Sequence, residues 1–407
     1  MSKNILVLPG TYWQIALVDK IREMGHHAYV VNPAPDSPAF SHADGFLQSD
    51  IFDRKAVIPY GQANHINAVM SDQCDIAMPL IAELGEVFNV PAMDRATAAL
   101  YTDKFLMREF CRQHGLPHPE YRQCRTVEEA IAFMHTLGKP IIIKPLDSNA
   151  SHGVFKCSTP EEIKEHFAES LSFSRVEKNV LAERYIEGTE FTIDSIKTPH
   201  GHFPLAISQK KHFPHNPNIA NELLFSHYNP DFDYDTLRRI NNTFVNNTNL
   251  QFGFTHAEYK YENGEFLLIE IAARGGGNMI SSAITQYLSG YDTYRYLIEC
   301  STGNIHDQDF SIRPEYRDRA AVLKFFPTPN GGGKVTAIEG REYLDNEPDI
   351  KHYRFNFSVG DTICDAVNDS ARIGFYIAGS QTMDKLQQVM QNVEQNVHIK
   401  IQIRDKK

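Results

Sequence analysis

The chain has no Cys-x-x-Cys pair, no G-x-G-x-x-G run, no apolar stretch of membrane-span length and no excess of positive charge. Each absence removes a class. The six cysteines, at 74, 111, 124, 157, 300 and 364, fall in no Cys/His cluster of zinc spacing, so free thiols in a reducing compartment are expected. Without the glycine fingerprint, a nicotinamide dehydrogenase has only a β-α-β pattern to recommend it. A membrane helix needs ~20 apolar residues, and no run approaches that. The opening MSKNILVLPG carries one lysine and a strand-length apolar run with no small-residue cleavage site after it, so a cytoplasmic protein with no membrane partner is expected. A net charge of −11 argues against a nucleic-acid partner, which would need a basic face to replace counterions.

What is present is an ordinary globular composition, 42% hydrophobic and 22% charged over 407 residues. That length predicts two to four units at about 100–200 residues each. NILVL, a helical pattern closed by Gly25, and HAYVVN form a β-α-β unit. Asp75-Ile-Ala-Met-Pro79 reads as a later strand of the same sheet, and the first domain is placed at 1–95. A helix follows from residue 103, closed by Gly115 and Pro117. Thr126-Val-Glu-Glu129 is a capping box for the next helix, and PIIIKP is a short buried strand. SNASHGV is a small-residue turn, and Thr159-Pro160 opens another helix. KNVLAERYIEG and TEFTIDSIK are strands around Gly188. Beyond about 320 the chain is β-rich, ending in a helix over 382–395 and a strand, VHIKIQI.

The stretch that asks for an explanation is LIEIAARGGGNMI at 268–280. A strand that needed only burial would not carry Glu270, and a simple reversal would not place three glycines beside Arg274. Glu258 lies on the other arm of the same hairpin, whose turn is Asn263-Gly264. A two-residue turn would pair Glu258 with Ile269 and put the two glutamates on opposite faces. A three-residue loop, Glu262-Asn263-Gly264, or an equivalent bulge, would put them on one face, and that is the expectation. Two carboxylates facing one way need a cation, and oxygen ligands alone favour Mg²⁺ with phosphate completing its shell. The alternative is a pair of solvated surface glutamates. Arg274 weighs against it, because a guanidinium beside a carboxylate suits a phosphate or a developing oxyanion. Glycines suit close backbone approach to a ligand.

Lys104 opens a helix and Lys144 ends an apolar strand, which directs its ammonium into a cleft. The segment from Ser148 to Val154 could wrap phosphates with backbone N–H groups. In Glu183-Arg-Tyr-Ile-Glu-Gly-Thr-Glu190, carboxylates flank an apolar Tyr-Ile pair on which a base could lie. Lys210, Lys211, His212 and His215 are candidates for binding a carboxylate or a ribose, with a solvated basic loop as the bland alternative.

In this order, Lys104, Lys144, small-residue loop, Glu183 to Glu190, Glu258, Glu270 and Arg274, the chain resembles the ATP-grasp superfamily over essentially its whole length. It looks closest to carboxylate–amine ligases related to bacterial L-amino-acid ligases and to carbamoyl-phosphate-synthase-like proteins. The resemblance implies an α/β and α+β architecture: a Rossmann-like pre-ATP-grasp domain, an ATP-grasp domain over 96–320 with a mobile lid at about 118–188, and a β-rich region over 321–407. It implies an ADP-producing ligase that activates a carboxylate as an acyl phosphate and joins it to an amine. Lys104 and Lys144 would hold ATP phosphates under a lid containing Ser148, Ser151, His152, Gly153 and Val154. Glu183, with the backbone of Arg184, Tyr185 and Ile186, would bind adenine, and Glu190 the ribose. Glu258 and Glu270 would carry Mg²⁺, or Mn²⁺, and Arg274 would be catalytic. Substrate residues would include Lys210, Lys211, His212, Gly275, Gly276 and Asn278. The partners would be a small carboxylate and a small amine; relatives are often homodimers, and that is all the resemblance offers on assembly. Two positions depart from the family pattern: Ala272 stands where many relatives have the Asn of the second metal site, and Ala150 where the lid usually has Gly. Thiol, sugar-amine and carboxyphosphate chemistries, and a regulatory nucleotide-binding protein without catalysis, remain as alternatives.

Overall fold

The computed structural model describes residues 1–147, 152–174 and 178–402. At the front, β1 (Asn4–Val7), β2 (His27–Asn32), β3 (Gly45–Gln48) and β4 (Ala68–Met70) form a parallel sheet in the order β3-β2-β1-β4. Ile5, Leu6 and Val7 are fully buried, as a central parallel strand covered on both faces requires. The expected strand at Asp75–Pro79 is not one. The last strand ends at Met70, and Asp75–Ala77 is a 3₁₀ turn leading into the helix Met78–Phe88. Pro79 explains the difference: in a helix's first turn its missing N–H has no partner to lose. Residues 71–74 therefore form a loop beyond the carboxyl end of β4, with Asp75 opening the 3₁₀ turn that follows, where open α/β sheets place ligands.

The second sheet comprises β5 (Tyr121–Cys124), β6 (Ile141–Pro145), β7 (Phe155–Cys157) and β8 (Val180–Arg184), in the order β5-β8-β6-β7. Two helices, Val127–Leu137 and Pro160–Ser172, pack on it around Phe133, Ile143, Ile163 and Phe167. Both start on a threonine: Thr126 accepts from Glu129 N and Thr159 from Glu162 N.

The central sheet begins with β9 (Thr189–Thr198), β10 (Gly201–Phe213), β11 (Asn216–Ser226), β12 (Gly253–Glu262) and β13 (Glu265–Ala272). The C-terminal strands are β14 (Ala320–Phe325), β15 (Gly332–Glu339), β16 (Ile350–Phe355), β17 (Thr362–Cys364), β18 (Gly374–Ser380) and β19 (His398–Gln402). Strands β14, β18 and β16 extend the central sheet, giving the order β13-β12-β9-β10-β11-β14-β18-β16. The remaining three, β17-β15-β19, form a small sheet of their own. All six cysteines are free. Among the described residues, no helix is long and apolar enough to cross a membrane.

The hairpin β12–β13 decides the site. Its turn is the two-residue one, with Asn263 at φ 51° and Gly264 at φ 94°, and Glu262 pairs with Glu265. The three-residue loop is therefore not used. The ladder shifts instead between Tyr259 and Glu258: Tyr259 pairs with Leu268, but Glu258 pairs with Glu270. Ile269 is the extra residue of a β-bulge, which brings the two carboxylates directly opposite each other.

Candidate active site

Two cavities meet at this pair of glutamates. The first, about 160 Å³, lies between the lid sheet and the central sheet and is lined by Lys104, Lys144, Val154, Glu183, Arg184, Tyr185, Ile186, Lys260 and Ile269. The second, about 260 Å³, lies between the front domain, the central sheet and the C-terminal region, lined by Gln73, Asp75, His212, His256, Arg274, Gly277, Asn278 and Arg372. Glu190, Asn218, Glu258 and Glu270 line both.

In the first cavity the charges are tightly paired. Lys104, at the start of the helix Lys104–His114, has its Nζ 3.0 Å from Glu270 Oε2. Lys144 Nζ lies 2.5 Å from Glu183 Oε2, and Arg108 Nε lies 2.5 Å from Glu183 Oε1. Both oxygens of Glu183 are thus engaged by buried cations, and this carboxylate anchors Lys144 from below. Burial pushes Lys144 down to about 8, against the pull of Glu183 and reinforced by Arg108 and Lys104. Burial works against Glu183 as a carboxylate, yet Arg108 and Lys144 hold it below the ordinary range.

At the junction, Lys210 Nζ lies 2.6 Å from Glu190 Oε1 and 2.7 Å from Glu258 Oε1. Burial disfavours the Glu258 carboxylate, but Lys210 and His256 bring it down to about 2. Glu270 is also held low, against burial, by Lys104. Ammonium groups on flexible stems thus neutralise both facing carboxylates, a donor set that a divalent cation with phosphate oxygens would also satisfy. Among the described residues no cluster of three or more His, Cys, Asp or Glu could hold a metal unaided.

His256, two residues before Glu258, shares its face and pairs across the ladder with Ala272. Its Nδ1 is 2.8 Å from Asp194 Oδ1 and its Nε2 is 3.6 Å from Glu258 Oε1. Burial opposes the imidazolium, but Asp194 and Glu258 raise it to about 9. Arg274 makes a two-point pair with Asp75 and donates from Nη1 to Gly275 O at 3.0 Å.

The expected substrate residues separate. Lys210, His212 and Asn278 line the second cavity, whereas Lys211 is exposed and 2.7 Å from Glu222 Oε1 on another face. Strand alternation puts neighbours Lys210 and Lys211 on opposite sides. Gly275 and Gly276 do not line the cavity. A Cβ on Gly275 would lie 2.3 Å from Asp72 Oδ1, and one on Gly276 2.4 Å from Asp194 Oδ1, so these glycines admit protein carboxylates rather than a ligand. Gly277 is the one of the three that faces the cavity. His215 Nε2 lies 3.1 Å from Ala366 O. In the lid, Ser148 and Ser151 lie outside the described residues. His152 stacks on Phe173 with 5.7 Å between centroids, and Gly153 has φ 72°.

Sequence reading missed Asp75, Arg108, Asp194, His256 and Arg372. Arg108 carried a usable signal, since it stands one helical turn after Lys104 and so shares its face. Arg372 had none: it arrives from a distant turn after β17.

Comparison with known proteins agrees with this geometry. An ATP-grasp domain model matches residues 137–283, and an L-amino acid ligase C-terminal domain 2 model matches residues 325–402. A D-alanine–D-alanine ligase of Delftia acidovorans is 29% identical over 175 residues, covering 42% of this chain and 50% of the relative. Dapdiamide A synthase of Enterobacter agglomerans is 28% identical over 243 residues, covering 56% and 55%. The chain thus spans about half the length of the curated relatives it matches. Among solved structures, the L-amino acid ligase from Bacillus licheniformis superposes with a TM-score of 0.81 at 19% identity, covering 99% of both chains. Phosphoribosylglycinamide synthetase from Anaerococcus prevotii gives 0.75 at 17%, covering 99% of this chain and 100% of that one. The chain thus carries an ATP-grasp domain over residues 137–283 and an L-amino acid ligase C-terminal domain 2 over residues 325–402, and it shares the fold of the superposed ligases.

Proposed function

We propose that the protein is an ATP-dependent carboxylate–amine ligase, releasing ADP and phosphate. One observation carries this reading: the two cavities meet at Glu258 and Glu270. A nucleotide in the first would present its γ-phosphate where a second substrate reaches it.

In this reading Tyr185 and Ile186 bed the adenine, and Glu190 accepts from the ribose. Lys104 and Lys210 release their carboxylate partners and turn to the phosphates, while Lys144 stays on Glu183 and offers its remaining N–H donors to them. Glu258 and Glu270 would hold Mg²⁺, or Mn²⁺, which supplies charge neutralisation of the γ-phosphoryl and its leaving group. The substrate carboxylate attacks the γ-phosphorus; the bond to the ADP oxygen breaks and an acyl phosphate forms. The amine then attacks the acyl carbon, and the C–O bond to phosphate breaks as the amide forms. Arg274, held beside Glu270 by Asp75, is placed to stabilise the oxyanion that develops on the acyl oxygen. The protein's contribution is positioning and electrostatics. The lid residues His152, Gly153 and Val154 would keep water from the acyl phosphate. The same reading takes the chain as a cytoplasmic enzyme.

The test is ADP release with Mg²⁺-ATP across a panel of carboxylates and amines, with Arg274→Ala beside the unmutated chain. Release that needs both substrates and disappears in Arg274→Ala is expected. Release with a carboxylate alone would instead indicate a kinase-like or carboxyphosphate reaction.

A further inference from the structure

Arg108 is the bulkiest fully buried side chain among the described residues, and it lies outside the roles assigned above. Its guanidinium reaches two different sheets. Nε donates to Glu183 Oε1 of the lid sheet at 2.5 Å, and Nη2 donates to the Ile269 carbonyl of the central sheet at 2.5 Å. Ile269 is the bulge residue. A bulge takes one residue out of the ladder, and its backbone groups then need partners from elsewhere. Arg108 supplies the partner for the carbonyl. The bulge is what sets Glu270 opposite Glu258, since an unbroken two-residue hairpin would pair Glu258 with Ile269. The other arm of the fork holds Glu183, which carries Lys144 on its second oxygen at 2.5 Å.

We propose that Arg108 is a positioning residue that sets both halves of the nucleotide site: it caps the Ile269 carbonyl at the bulge, fixing the Glu258–Glu270 register, and grips Glu183, fixing Lys144. This rests on the nucleotide-site reading above. The chemistry requires arginine. A planar fork reaches two acceptors in divergent directions, whereas a lysine is one point charge on a flexible stem. Lys104, Arg108 and Lys144 converge on Glu183 and Glu270, and Asp75 also acts on Lys104. The third nitrogen, Nη1, is buried without a hydrogen-bond partner among the described residues, so the guanidinium is held by these two acceptors.

Arg108→Lys and Arg108→Met, made in the full chain, separate this role from simple structural support. Binding of a fluorescent ADP analogue would be titrated with Mg²⁺, giving the half-saturating metal concentration and the nucleotide affinity at saturating metal, with Tm recorded for each variant. Arg108→Lys keeps the charge against Glu183 but loses the bulge cap. Its half-saturating Mg²⁺ should rise about tenfold, as loss of a residue supporting metal ligands typically produces, with nucleotide affinity at saturating metal within about threefold of the unmutated chain. Arg108→Met should weaken both by about tenfold or more. If Arg108→Met does not fold, Arg108→Lys alone decides. A folded Arg108→Lys whose metal requirement stays within about twofold, whatever its Tm, overturns the proposal. Failure of the unmutated chain to bind the analogue at any Mg²⁺ concentration would instead overturn the nucleotide-site reading, and this proposal with it.

Discussion

Arg274 and Asp75 form a two-point ion pair, Nε 2.5 Å from Oδ1 and Nη2 2.9 Å from Oδ2, that joins the central sheet to the front domain. The pair is partly buried, and burial, which alone would lower the guanidinium, is outweighed by Asp75. Asp75 therefore decides where Arg274 points. Asp75→Ala should lower kcat by about 10²-fold, since a misplacement of about 1 Å can cost that much. Nucleotide binding, on the far side of Glu270, should change little. Steady-state kinetics beside a direct ADP titration would check this, and a parallel loss of ADP affinity would show that Asp75 supports the whole site.

Lys144 gives the site a pH dependence. In the free protein burial, with Arg108 and Lys104, brings it down to about 8. A phosphate favours the ammonium, so the bound form holds its proton to higher pH than the free form. The complex therefore carries more protons than its components around pH 8 and above. Affinity for Mg²⁺-ADP should fall as pH rises through 8, by up to about tenfold per unit. Calorimetry at pH 8.5 in buffers of different ionisation enthalpy should detect proton uptake on binding. Lys144→Met should abolish the uptake, and uptake that persists in that variant would assign it to another group.

Much of this site was legible in the chain because its signals are local. Lys104 after an N-capping Asp103, Lys144 at the end of an apolar strand, and Glu258 and Glu270 on a hairpin with an Asn-Gly turn can all be read within a few residues. The register was half legible. Sequence demanded that the carboxylates share a face but did not say whether the loop or the ladder would supply the extra residue. The ladder did, because Arg108, some 160 positions away, could cap Ile269. Asp75 was misread as part of a strand because a short apolar run has no period of its own, and the strand had already ended at Met70. Asp194 and Asp72 were invisible for a different reason. What they need is the absence of side chains at Gly276 and Gly275, and a glycine does not announce which residue it makes room for.

The glycine run supports a paired prediction. A Cβ at Gly276 would sit 2.4 Å from Asp194 Oδ1 and 2.9 Å from Ile280 Cβ, whereas one at Gly277 meets nothing within 4 Å. Gly276→Ala should destabilise the fold by about 1–3 kcal/mol through overpacking. Gly277→Ala should stay within about 0.5 kcal/mol of the unmutated chain. Chemical denaturation of the two variants would check this. Equal losses would mean that backbone conformation, rather than the approach of Asp194, is what both glycines provide.

Arg372 brings the C-terminal region into the second cavity. Its guanidinium lies over the Phe325 ring at 3.9 Å, donates from Nε to Ala220 O at 3.1 Å, and pairs through Nη2 with Asp369. Burial lowers its pKa from the arginine value, though a guanidinium keeps its charge at any working pH. Among the described residues Nη1 makes no hydrogen bond, so it is the nitrogen left to meet a ligand. On the ligase reading, an amine substrate that carries its own carboxylate would set that carboxylate on Arg372, with its amino group toward Glu270 and Arg274. Arg372→Ala should then raise KM for such an amine by about tenfold or more, the loss expected of a charge-assisted hydrogen bond, and leave KM for ATP unchanged. The same amine lacking its carboxylate should be used equally poorly by both proteins. Kinetics with the two amines would decide it. A uniform rise in KM for both would make Arg372 a wall of the cavity, holding Phe325 and the turn after β17 in place, rather than the group that reads the substrate's charge.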